Sequence, residues 1–460
     1  MYRLSSYTIF TQLETVENKY MLVHGYTGAI DIVAERVVQY LKNNAECIYE
    51  LNNAIEQQTF KTLVARGYIT EKSKRDEVAY VNRFADILHR VHKTLYKHFL
   101  FIVTYNCNFR CPYCYENSIS TCGKNWSGKT FTKELIDRAY SALLEIEPSR
   151  KLHDNTITLY GGEPLLRENL NIIEYIVNKG SELGYVFSAI TNGYDLNCFS
   201  HLFSPKLIKS VQITLDGNEE LHNKRRIHYS VGNTFEKIIE NIKIALDAGI
   251  YVVIRINTDI ENIDKINDLK CIFNERGFMD NSKFSFYSIP LLNYEQFENK
   301  SSHFKYINNQ EFNKIQKVND YEFGCYDRGL VHNLINAISN KKLVDFKSIY
   351  CAAQSGEFLL DPYGDIYPCW DVVGIKEHII GHYTNEKIEW TQVKELWHNR
   401  NVATLSNCKQ CKFALLCQGG CAGNAWRHNG SIQTHECDEY VNIFRMSVNR
   451  VYKTLEKQIN

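Results

Sequence analysis

The chain has 460 residues, a length that exceeds one small core and indicates two or three domains. Its 53 basic and 53 acidic residues balance, so no overall field would attract nucleic acid or an acidic membrane surface. The N-terminal run lacks the apolar core of a signal peptide, and no later run is long enough to span a bilayer. We therefore expect a cytoplasmic protein that binds neither nucleic acid nor membrane.

The N-terminal part, residues 1–77, is predicted to be a small α+β unit. The runs "YTIFTQL" and "KYMLVHG" predict a β-hairpin, and "AIDIVAERVVQYL" follows with apolar residues at a helical period. The run "TFKTLVARGYIT" predicts a second helix that ends at Gly67, with a short strand after it. Charged residues at 70–77 mark a boundary, and residues 78–97 are predicted to form a linker helix.

From residue 98 to about residue 290, short apolar runs alternate with amphipathic helical segments. The strand candidates are "FLFIVTYN", "NTITLYGG", "YVFSAITNG", "SVQITLDG", "YVVIRINTD" and "KFSFYSIP". The helix candidates between them are "FTKELIDRAYSALLEI", "NLNIIEYIVNKGSELG" and "TFEKIIENIKIALDAG". This alternation predicts βα units around a parallel sheet that is buried on both faces.

Several of these strands run into polar or glycine-rich tips. The tips are Asn106–Cys107, Gly161–Pro164, Thr191–Gly193 and Asp216–Gly217. In parallel barrels the functional site lies at the carboxyl ends of the strands, so chemistry is expected at these tips. After a polar stretch at 290–345, the C-terminal part is rich in cysteine and glycine and has little periodicity. That composition is expected where metal ligation supplies much of the folding energy.

The fifteen cysteines are the compositional feature that indicates chemistry. The cytosolic thiol pool keeps disulfides reduced, so cysteines in a chain without an export signal favour metal binding or catalysis. Two groups stand out, Cys107, Cys111 and Cys114 and then Cys408, Cys411, Cys417 and Cys421. Thiolates of the first group can hold three irons of a 4Fe-4S cluster and leave the fourth iron open. Incidental thiols are one alternative, and a zinc site would need a fourth nearby Cys or His that this stretch lacks.

The run "CNFRCPYC" has a CxxxCxxC spacing at the end of the first predicted barrel strand, with Tyr113 before its last cysteine. This pattern resembles the signature of the radical S-adenosylmethionine (radical SAM) enzymes. The resemblance implies a partial (β/α)6 TIM-like barrel over residues 98–320 and a 4Fe-4S cluster whose open iron binds the amino and carboxylate groups of SAM. It also implies that one electron from the cluster cleaves SAM to a 5′-deoxyadenosyl radical, a step that the cofactor supplies and the protein orients.

The second-strand run "YGGEP" resembles the family motif whose backbone and glutamate receive the methionyl ammonium of SAM. By that resemblance Gly161, Gly162, Glu163 and Pro164 contact the cofactor, since glycines permit close backbone approach.

The runs "TNG" and "QITLDG" resemble tips that contact the ribose and carboxylate of SAM, which implies contacts from Thr191, Asn192, Gln212 and Asp216. Arg226 matches the arginine that pairs with the methionyl carboxylate, a bidentate role that suits a guanidinium. Its neighbour Arg225 is an alternative for that role, and a solvated basic pair is another. The run "IRIN" resembles the fifth-strand segment near the adenosine, with an ordinary barrel strand as the alternative.

Seven C-terminal cysteines resemble the SPASM domain, which holds two auxiliary 4Fe-4S clusters in peptide- and protein-modifying radical SAM enzymes. The family's ligation pattern assigns the outer cluster to Cys408, Cys411, Cys417 and Cys437. It assigns the inner cluster to Cys351, Cys369 and Cys421, with Cys325 as the candidate fourth ligand. Without that ligand one iron is open to a substrate thiolate. A pair of zinc sites is the alternative for the whole set.

The remaining cysteines are expected to be plain thiols, and this group is Cys47, Cys122, Cys198 and Cys271. The N-terminal unit resembles the winged-helix-like element by which maturases of ribosomally made peptides hold a leader peptide, typically as an added strand. A packing extension is the alternative for this unit. The predicted domains are thus residues 1–77, 78–97, 98–320 and a SPASM domain at 321–460.

The resemblance implies an enzyme that abstracts hydrogen from a residue of a precursor peptide and forms a thioether or other cross-link, while an auxiliary cluster accepts the second electron. Its implied partners are the precursor peptide with its leader and a reducing protein such as flavodoxin or ferredoxin. Closure of the site against water would protect the radical.

The nearest alternative is an anaerobic sulfatase maturase, which oxidises cysteine or serine to formylglycine. In those enzymes a carboxylate base directly follows the cysteine of a "DGxxYPC" segment, whereas "YGDIYPCWD" places Trp370 there and Asp371 one residue later. Asp371 is accordingly the predicted base. From another class, a non-enzymatic iron-sulfur electron carrier or a zinc-scaffolded binding protein would need closed metal sites and no GGEP tip.

Overall fold

The structure is a computed structural model that describes residues 1–48, 56–116, 124–292, 304–318 and 322–459. Its Cα positions fall into two units, each built from separate stretches of the chain. The first unit consists of Met1–Thr94, Tyr326–Ser355 and His398–Asn460. The second unit consists of Leu95–Cys325 and Gly356–Trp397. The change from first to second unit at Thr94/Leu95 lies close to the predicted domain boundary at residue 97, and the predicted segment 321–460 contributes to both units.

Strands and helices are numbered here in chain order. The strands are β1 (Arg3–Leu4), β2 (Thr8–Gln12), β3 (Lys19–His24), β4 (Ile30–Ala34), β5 (Ile69–Thr70), β6 (Lys97–Thr104), β7 (His153–Gly161), β8 (Val186–Thr191), β9 (Ile208–Thr214), β10 (Tyr251–Thr258), β11 (Phe284–Pro290), β12 (Glu357–Leu360), β13 (Asp365–Tyr367), β14 (Gly381–His382) and β15 (Glu389–Trp390).

The α-helices are α1 (Glu35–Asn43), α2 (Gln57–Ala65), α3 (Lys74–Lys93), α4 (Lys124–Ser127), α5 (Lys133–Ile146), α6 (Leu170–Glu182), α7 (Glu219–Arg225), α8 (Phe235–Asp247), α9 (Ile266–Glu275), α10 (Asn309–Val318), α11 (Leu330–Ser339), α12 (Val393–His398), α13 (Ala414–Cys417), α14 (Ala422–Asn429) and α15 (Tyr440–Ile459). Short 3-10 helices lie at Arg150–Leu152, Arg167–Asn169, Leu196–Leu202, Ile263–Lys265, Ala352–Gln354, Trp370–Val372 and Lys376–His378.

The second unit is organised around one mixed sheet with the strand order β11-β10-β9-β8-β7-β6-β12-β13-β14-β15. Strands β6 to β11 pair in parallel, which confirms all six predicted strands and the parallel sheet. The helices α5, α6 and α8 confirm the three predicted helices between them. The sequence did not reveal that β12 pairs in parallel with β6, so that β12–β15 of the C-terminal part extend this sheet.

Three of the parallel strands, β7, β8 and β9, have one apolar face and one more polar face, whereas β6 is buried on both faces. On β7, Ile157 and Leu159 are completely buried, whereas Thr158 and Tyr160 alternate with them and are half-buried. Such alternation places successive side chains on opposite faces of the sheet. The expectation that both faces would be buried therefore holds for β6 and is wrong for β7, whose polar face stays partly accessible along the strand.

The first unit contains the three-stranded antiparallel sheet β2-β3-β4 and the short antiparallel pair β1-β5. The β2–β3 pairing confirms the predicted hairpin. The second predicted helix and the short strand after it are confirmed as α2 and β5, although α2 ends at Ala65, two residues before Gly67. The helical reading of "AIDIVAERVVQYL" is wrong for its first part, because Ile30–Ala34 is a strand. These residues pair with β3, and α1 begins only after them. β-branched residues at 30, 32 and 33 suit a pleated strand, and pairing with β3 overrode the helical period.

The C-terminal helix α15 packs in the first unit against α11 and β2. Its residues Ile443, Phe444, Val448 and Val451 are completely buried or nearly so. This helix contradicts the expectation of a C-terminal part with little periodicity, because its apolar residues repeat at helical spacing. In the described residues of both units, each helix is either too short or too polar to traverse a lipid bilayer.

Candidate functional site

The first thiol group lies in the loop after β6, in the second unit. Cys111 is buried and Cys107 and Cys114 are half-buried. The loop is held by short local contacts: Cys114 N donates to the Cys111 carbonyl at 3.1 Å, and Phe109 N donates to Cys107 Sγ at 3.3 Å. Burial raises the pKa of all three thiols, and a thiolate at Cys111 adds to this effect at both of its neighbours. The loop therefore brings the three sulfurs of the CxxxCxxC run together.

The two glycines of "YGGEP" fit against the tip of β6. A Cβ atom on Gly161 would lie 2.2 Å from the Thr104 carbonyl oxygen, and one on Gly162 would lie 2.4 Å from the Asn106 carbonyl oxygen. Gly161 also has φ = +137°, which favours glycine. Gly162 N and Glu163 N donate to the same two carbonyls at 2.9 and 2.8 Å. The two glycines thus allow the backbone after β7 to approach the backbone at the end of β6, where the thiol loop begins.

Glu163 lies at the centre of the strand tips and is 1% exposed. Its carboxylate accepts hydrogen bonds from Thr191 Oγ1 at 2.6 Å, Asn192 N at 2.5 Å and Leu165 N at 2.9 Å. Burial raises the pKa of Glu163 to about 7, and the bonds from Asn192 and Thr191 act in the opposite direction. The tip of β8 therefore orients the carboxylate at the tip of β7.

Asn192 also connects the β8 tip to the thiol loop. Its Nδ2 donates to Asn108 Oδ1 at 2.7 Å and lies 3.9 Å from Cys107 Sγ. Asn108 is 6% exposed and was not singled out from the sequence, because nothing in its local spacing distinguishes it. Pro164 is buried in the turn that follows Glu163, and its carbonyl accepts from Asn169 Nδ2 at 3.2 Å.

Tyr113, Asp216 and Arg226 form one buried chain of contacts. The Tyr113 hydroxyl donates to Asp216 Oδ2, and Arg226 Nη1 donates to the same hydroxyl oxygen at 3.0 Å. Two atoms of this group, Asp216 Oδ1 and Arg226 Nε, are buried and have no hydrogen-bond partner among the described residues. Leaving such atoms unpaired is costly, so they fit a ligand that carries both a donor and an acceptor.

The neighbouring arginine has a different environment. Arg225 Nη2 donates to Asp259 Oδ2 at 2.5 Å and lies 3.5 Å from Glu261 Oε2. Its side chain is 4% exposed and that of Asp259 is completely buried. Because Arg225 is engaged in this ion pair, Arg226 is the arginine whose guanidinium is available beside Tyr113.

The polar face of the sheet carries the other predicted residues. Gln212 on β9 accepts a hydrogen bond from the Tyr287 hydroxyl on β11 at 3.0 Å, which places it further along this face than the strand tips. Arg255 of the "IRIN" run pairs in register with Tyr287 and donates to Asn257 Oδ1 at 3.0 Å. The second unit thus places Gln212 and Arg255 on the accessible face of the sheet.

Asp371 lies in a 3-10 helix, two residues after Cys369. The adjacent Trp370 has its ring 6.3 Å from that of Tyr160 and is 44% exposed. Burial raises the pKa of Tyr160, and the Asp371 carboxylate is close enough to add to that effect. Asp371 is therefore near the residue that precedes the GGEP tip.

The four thiols of the predicted outer cluster, Cys408, Cys411, Cys417 and Cys437, lie entirely within the first unit. They are called the second thiol group from here on. Burial raises the pKa of Cys408, and charges at the other three thiols of this group act in the same direction. Gly420 makes this grouping possible, because a Cβ there would lie 1.9 Å from the Glu436 carbonyl oxygen. The loop with Cys417 and the segment before Cys437 can approach each other only at a glycine.

Arg400 is completely buried and connects two backbone segments that lie between Cys417 and Cys437 of the second thiol group. Its guanidinium donates to four backbone carbonyls, those of Ile432 at 2.5 Å, Thr434 at 2.9 Å, Gly420 at 3.0 Å and Gly419 at 3.2 Å. Burial lowers the pKa of Arg400, while charges at surrounding thiols, with Cys421 foremost, act to raise it. A buried cation bonded only to carbonyls in the described structure fits thiolate ligands nearby, which would balance its charge.

The predicted inner set divides between the units. Cys351 and Cys421 belong to the first unit, and Cys369 and Cys325 belong to the second, so this set stays a prediction from the sequence. Within the described residues, no three or more Cys, His, Asp or Glu side chains converge on a point that could hold a single metal ion. A 4Fe-4S cluster instead binds each thiolate to a different iron.

The cysteines without a predicted role occupy varied positions. Cys47 is half-buried and Cys271 is exposed, while Cys198 Sγ accepts from Arg167 Nε at 3.3 Å. Cys122 lies outside the described residues.

Comparison with known proteins identifies the second unit. Residues 101–270 match the family described as the Radical SAM superfamily. A cysteine-type anaerobic sulfatase-maturating enzyme from Clostridium novyi is 27% identical over 76% of this chain and 95% of that protein. The radical SAM cyclopropyl synthase TigE from Paramaledivibacter caminithermalis is 22% identical over 94% of this chain and 93% of that protein.

A solved structure shares the fold over nearly the whole chain. Streptococcus suis SuiB, bound to its precursor peptide SuiA, superposes with a TM-score of 0.51 at 14% identity, over 95% of this chain and 98% of SuiB. The radical SAM family implies a 4Fe-4S cluster and SAM as cofactors, and both the three grouped thiols and the unpaired buried atoms fit them. This chain is therefore an enzyme that contains a Radical SAM domain at residues 101–270.

Proposed function

We propose that this enzyme modifies a ribosomally made precursor peptide by abstracting hydrogen from one residue and forming a thioether or other cross-link. Cys107, Cys111 and Cys114 would hold the 4Fe-4S cluster that, together with SAM, supplies a 5′-deoxyadenosyl radical. The first electron would come from a reducing protein such as flavodoxin or ferredoxin.

The strand tips of the second unit would orient SAM. Glu163, held by Thr191 and Asn192, would accept the methionyl ammonium, and Arg226 would pair with the methionyl carboxylate. Asp216 Oδ1 has no hydrogen-bond partner among the described residues, so it would accept a hydrogen bond from a donor on the cofactor. The Tyr113 hydroxyl links Asp216 to Arg226. These roles follow from the contacts of the residues and from their match to the family motifs.

Peptide binding is supported by one observation in particular, the edge of the sheet β2-β3-β4. At β2, Asn449 of α15 bonds the Gln12 carbonyl at 3.2 Å and Glu14 N at 2.7 Å, so that edge is covered. At β4, the described residues provide no strand partner other than β3. Arg66 Nη2 donates to the Ile30 carbonyl at 2.9 Å, whereas Ile32 is 50% exposed. A leader peptide can add a strand at such an edge. We therefore assign the first unit's sheet to a winged-helix-like, leader-binding role.

The C-terminal thiols complete the proposal. Cys408, Cys411, Cys417 and Cys437 would hold an outer auxiliary 4Fe-4S cluster, which supplies a one-electron acceptor. The inner cluster is proposed from the sequence resemblance alone, with Cys351, Cys369 and Cys421 as ligands and Cys325 as the candidate fourth. Asp371 is the candidate base for the proton released during bond formation.

Formylglycine formation is the second candidate, favoured by the similarity to the sulfatase-maturating enzyme. That similarity covers 76% of this chain, whereas the similarity to the cyclopropyl synthase covers 94%. Trp370 also occupies the position at which sulfatase maturases carry their base. The coverage and this substitution favour the cross-linking proposal.

The test is anaerobic incubation of the reconstituted enzyme with dithionite, SAM and a candidate peptide encoded beside its gene. Cross-linking predicts formation of 5′-deoxyadenosine and a peptide that has lost hydrogen and resists reduction at the new bond. Formylglycine formation instead predicts an aldehyde that reacts with a hydrazide probe. A peptide of unchanged mass, despite cleavage of SAM, would count against both functions.

A further inference from the structure

Arg328 is a buried cation beside the second thiol group, in the first unit. It lies just before α11, and its side chain is 3% exposed. Its φ is +54°, in the left-handed region that residues other than glycine rarely adopt. A strained backbone at a residue with a long buried side chain indicates that the position of the side chain matters.

The guanidinium of Arg328 contacts Cys417 directly. Nη1 lies 3.1 Å from Cys417 Sγ and 3.5 Å from the Cys417 carbonyl oxygen. The rings of Tyr350 and Tyr440 each have their centroids 5.3 Å from the guanidinium carbon. These contacts fix the cation in place at one sulfur of the group Cys408, Cys411, Cys417 and Cys437.

The charge of Arg328 is only partly balanced by carboxylate. Asp438 Oδ2 lies 3.4 Å from Nη2, and it is the one carboxylate paired with Arg328 in the described residues. The Nε atom of Arg328 is buried and has no hydrogen-bond partner among the described residues. The Cys417 sulfur is thus closer to the cation than its carboxylate partner is.

We propose that Arg328 raises the reduction potential of the outer auxiliary cluster by donating a charge-assisted hydrogen bond to Cys417 Sγ. This inference rests on the proposed assignment of the four thiols to a 4Fe-4S cluster. Reduction adds one electron to the cluster and therefore one negative charge, which an adjacent cation stabilises. Hydrogen bonds to ligating sulfurs and local charge are established determinants of cluster potentials. Arg328 is thus a positioning residue that tunes the electron acceptor.

The test is a dithionite titration of the reconstituted full-length enzyme, followed by electron paramagnetic resonance at controlled potential. The resonance signal that the wild type shows and the Cys417→Ala variant lacks identifies the outer cluster. Arg328→Gln should shift that signal to lower potential and leave the others unchanged, and Arg328→Lys should give a smaller shift in the same direction. Asp438→Asn removes a negative charge and keeps the N–H···S contact, so it should shift the same signal to higher potential.

The iron content of the wild type and the variants distinguishes failure of this inference from failure of the proposed function. Full iron content with unchanged potentials in Arg328→Gln and Asp438→Asn would overturn the role of Arg328 and leave the proposed function intact. A wild-type enzyme that binds iron for one cluster only would overturn both. If Arg328→Gln does not assemble its clusters, the opposite shifts expected of Arg328→Lys and Asp438→Asn still decide the question. Arg66→Gln, which removes a cation paired with Asp31 elsewhere in the first unit, serves as the control and should shift no signal.

Discussion

Arg225 forms a buried ion pair with Asp259, with Nη2 and Oδ2 2.5 Å apart. Its sequence neighbour Arg226 instead contacts the Tyr113 hydroxyl at 3.0 Å and keeps a buried Nε without a described partner. Two adjacent arginines that look equivalent in the sequence therefore have different roles. Arg225 stabilises the contact between α7 and the segment after β10, and Arg226 is available to a ligand.

This difference predicts that substitution of Arg226 weakens SAM binding, whereas substitution of Arg225 lowers the stability of the fold. Arg226→Gln should weaken SAM binding by about 10- to 100-fold, since a charge-assisted hydrogen bond contributes about 1.5–3 kcal/mol. Arg225→Gln should lower the free energy of unfolding by about 3 kcal/mol, because it leaves Asp259 buried and unpaired. Anaerobic equilibrium dialysis of SAM and thermal melts measure the two effects. Loss of SAM affinity in Arg225→Gln alone would reverse the assignment.

Gly161→Ala should disrupt the junction between β7 and the thiol loop. The new Cβ would meet the Thr104 carbonyl oxygen at 2.2 Å, so we expect a loss of about 2 kcal/mol or more in unfolding free energy. We also expect lower iron content at the first cluster. The matched control is Gly277→Ala, which has φ = +70° and no heavy atom within 4 Å of its Cβ, and which should cost about 1 kcal/mol. Equal losses in the two variants would contradict a specific role for the close approach.

The edge of β4, which has no second strand partner among the described residues, predicts where a leader peptide binds. Ile32→Asp should weaken leader binding by about tenfold, because it places a charge where an added strand would pack. Gln12→Asp on β2 is the control, since α15 covers that edge. Fluorescence anisotropy of a labelled precursor peptide measures both variants. SAM cleavage without peptide should be unchanged in each, and equal weakening in the two variants would rule out β4 as the binding edge.

His24 predicts that the first unit loses stability in mild acid. Burial lowers the pKa of His24 from 6.5 to about 4, and its Nδ1 accepts from the backbone N–H groups of Tyr26 and Thr27. Between these two pKa values the unfolded chain binds a proton that the folded chain does not, so stability falls as pH falls. The loss contributed by His24 is about 3 kcal/mol at most.

Hydrogen exchange at residues 5–27, measured at pH 7 and pH 5, tests this expectation in the wild type and in His24→Gln. The wild type should lose more local protection than the variant, because the variant lacks the buried imidazole at position 24. Burial acts to raise the pKa of the neighbouring Glu77, but hydrogen bonds led by that from Ser5 lower it overall. The stability that Glu77 contributes is therefore lost only below its ordinary pKa, outside the window. Identical acid responses would exclude His24 as the cause.

The sequence was sufficient for the elements whose signal is local. Each parallel strand from β6 to β11 is a short apolar run bounded by a polar tip, and such a run is readable without knowledge of its partners. The strand β4 was misread because Ile30 and Val33 also fit a helical period, and pairing with β3 decided the outcome. The helix α15 was missed although its buried residues repeat at helical spacing.

Residues that act through space could not be found in this way. Asn108, Arg328 and Arg400 have no distinctive spacing in the sequence, and their importance appears only when Asn192, Cys417 and the carbonyls around Cys421 are brought beside them. Likewise, the pairing of β12 with β6 joins segments more than 250 residues apart, and no local pattern specifies it.

The pairing of β12 with β6 also constrains the order in which the second unit can assemble. During synthesis β6 emerges long before Glu357, so its outer edge has no strand partner until the ribosome has made most of the chain. The strand that ends at the thiol loop is therefore an exposed edge in the nascent protein, and an exposed edge can pair with another chain. A chain truncated before β12 would keep that edge permanently. The C-terminal part thus completes the sheet that bears the CxxxCxxC loop, in addition to carrying the second thiol group.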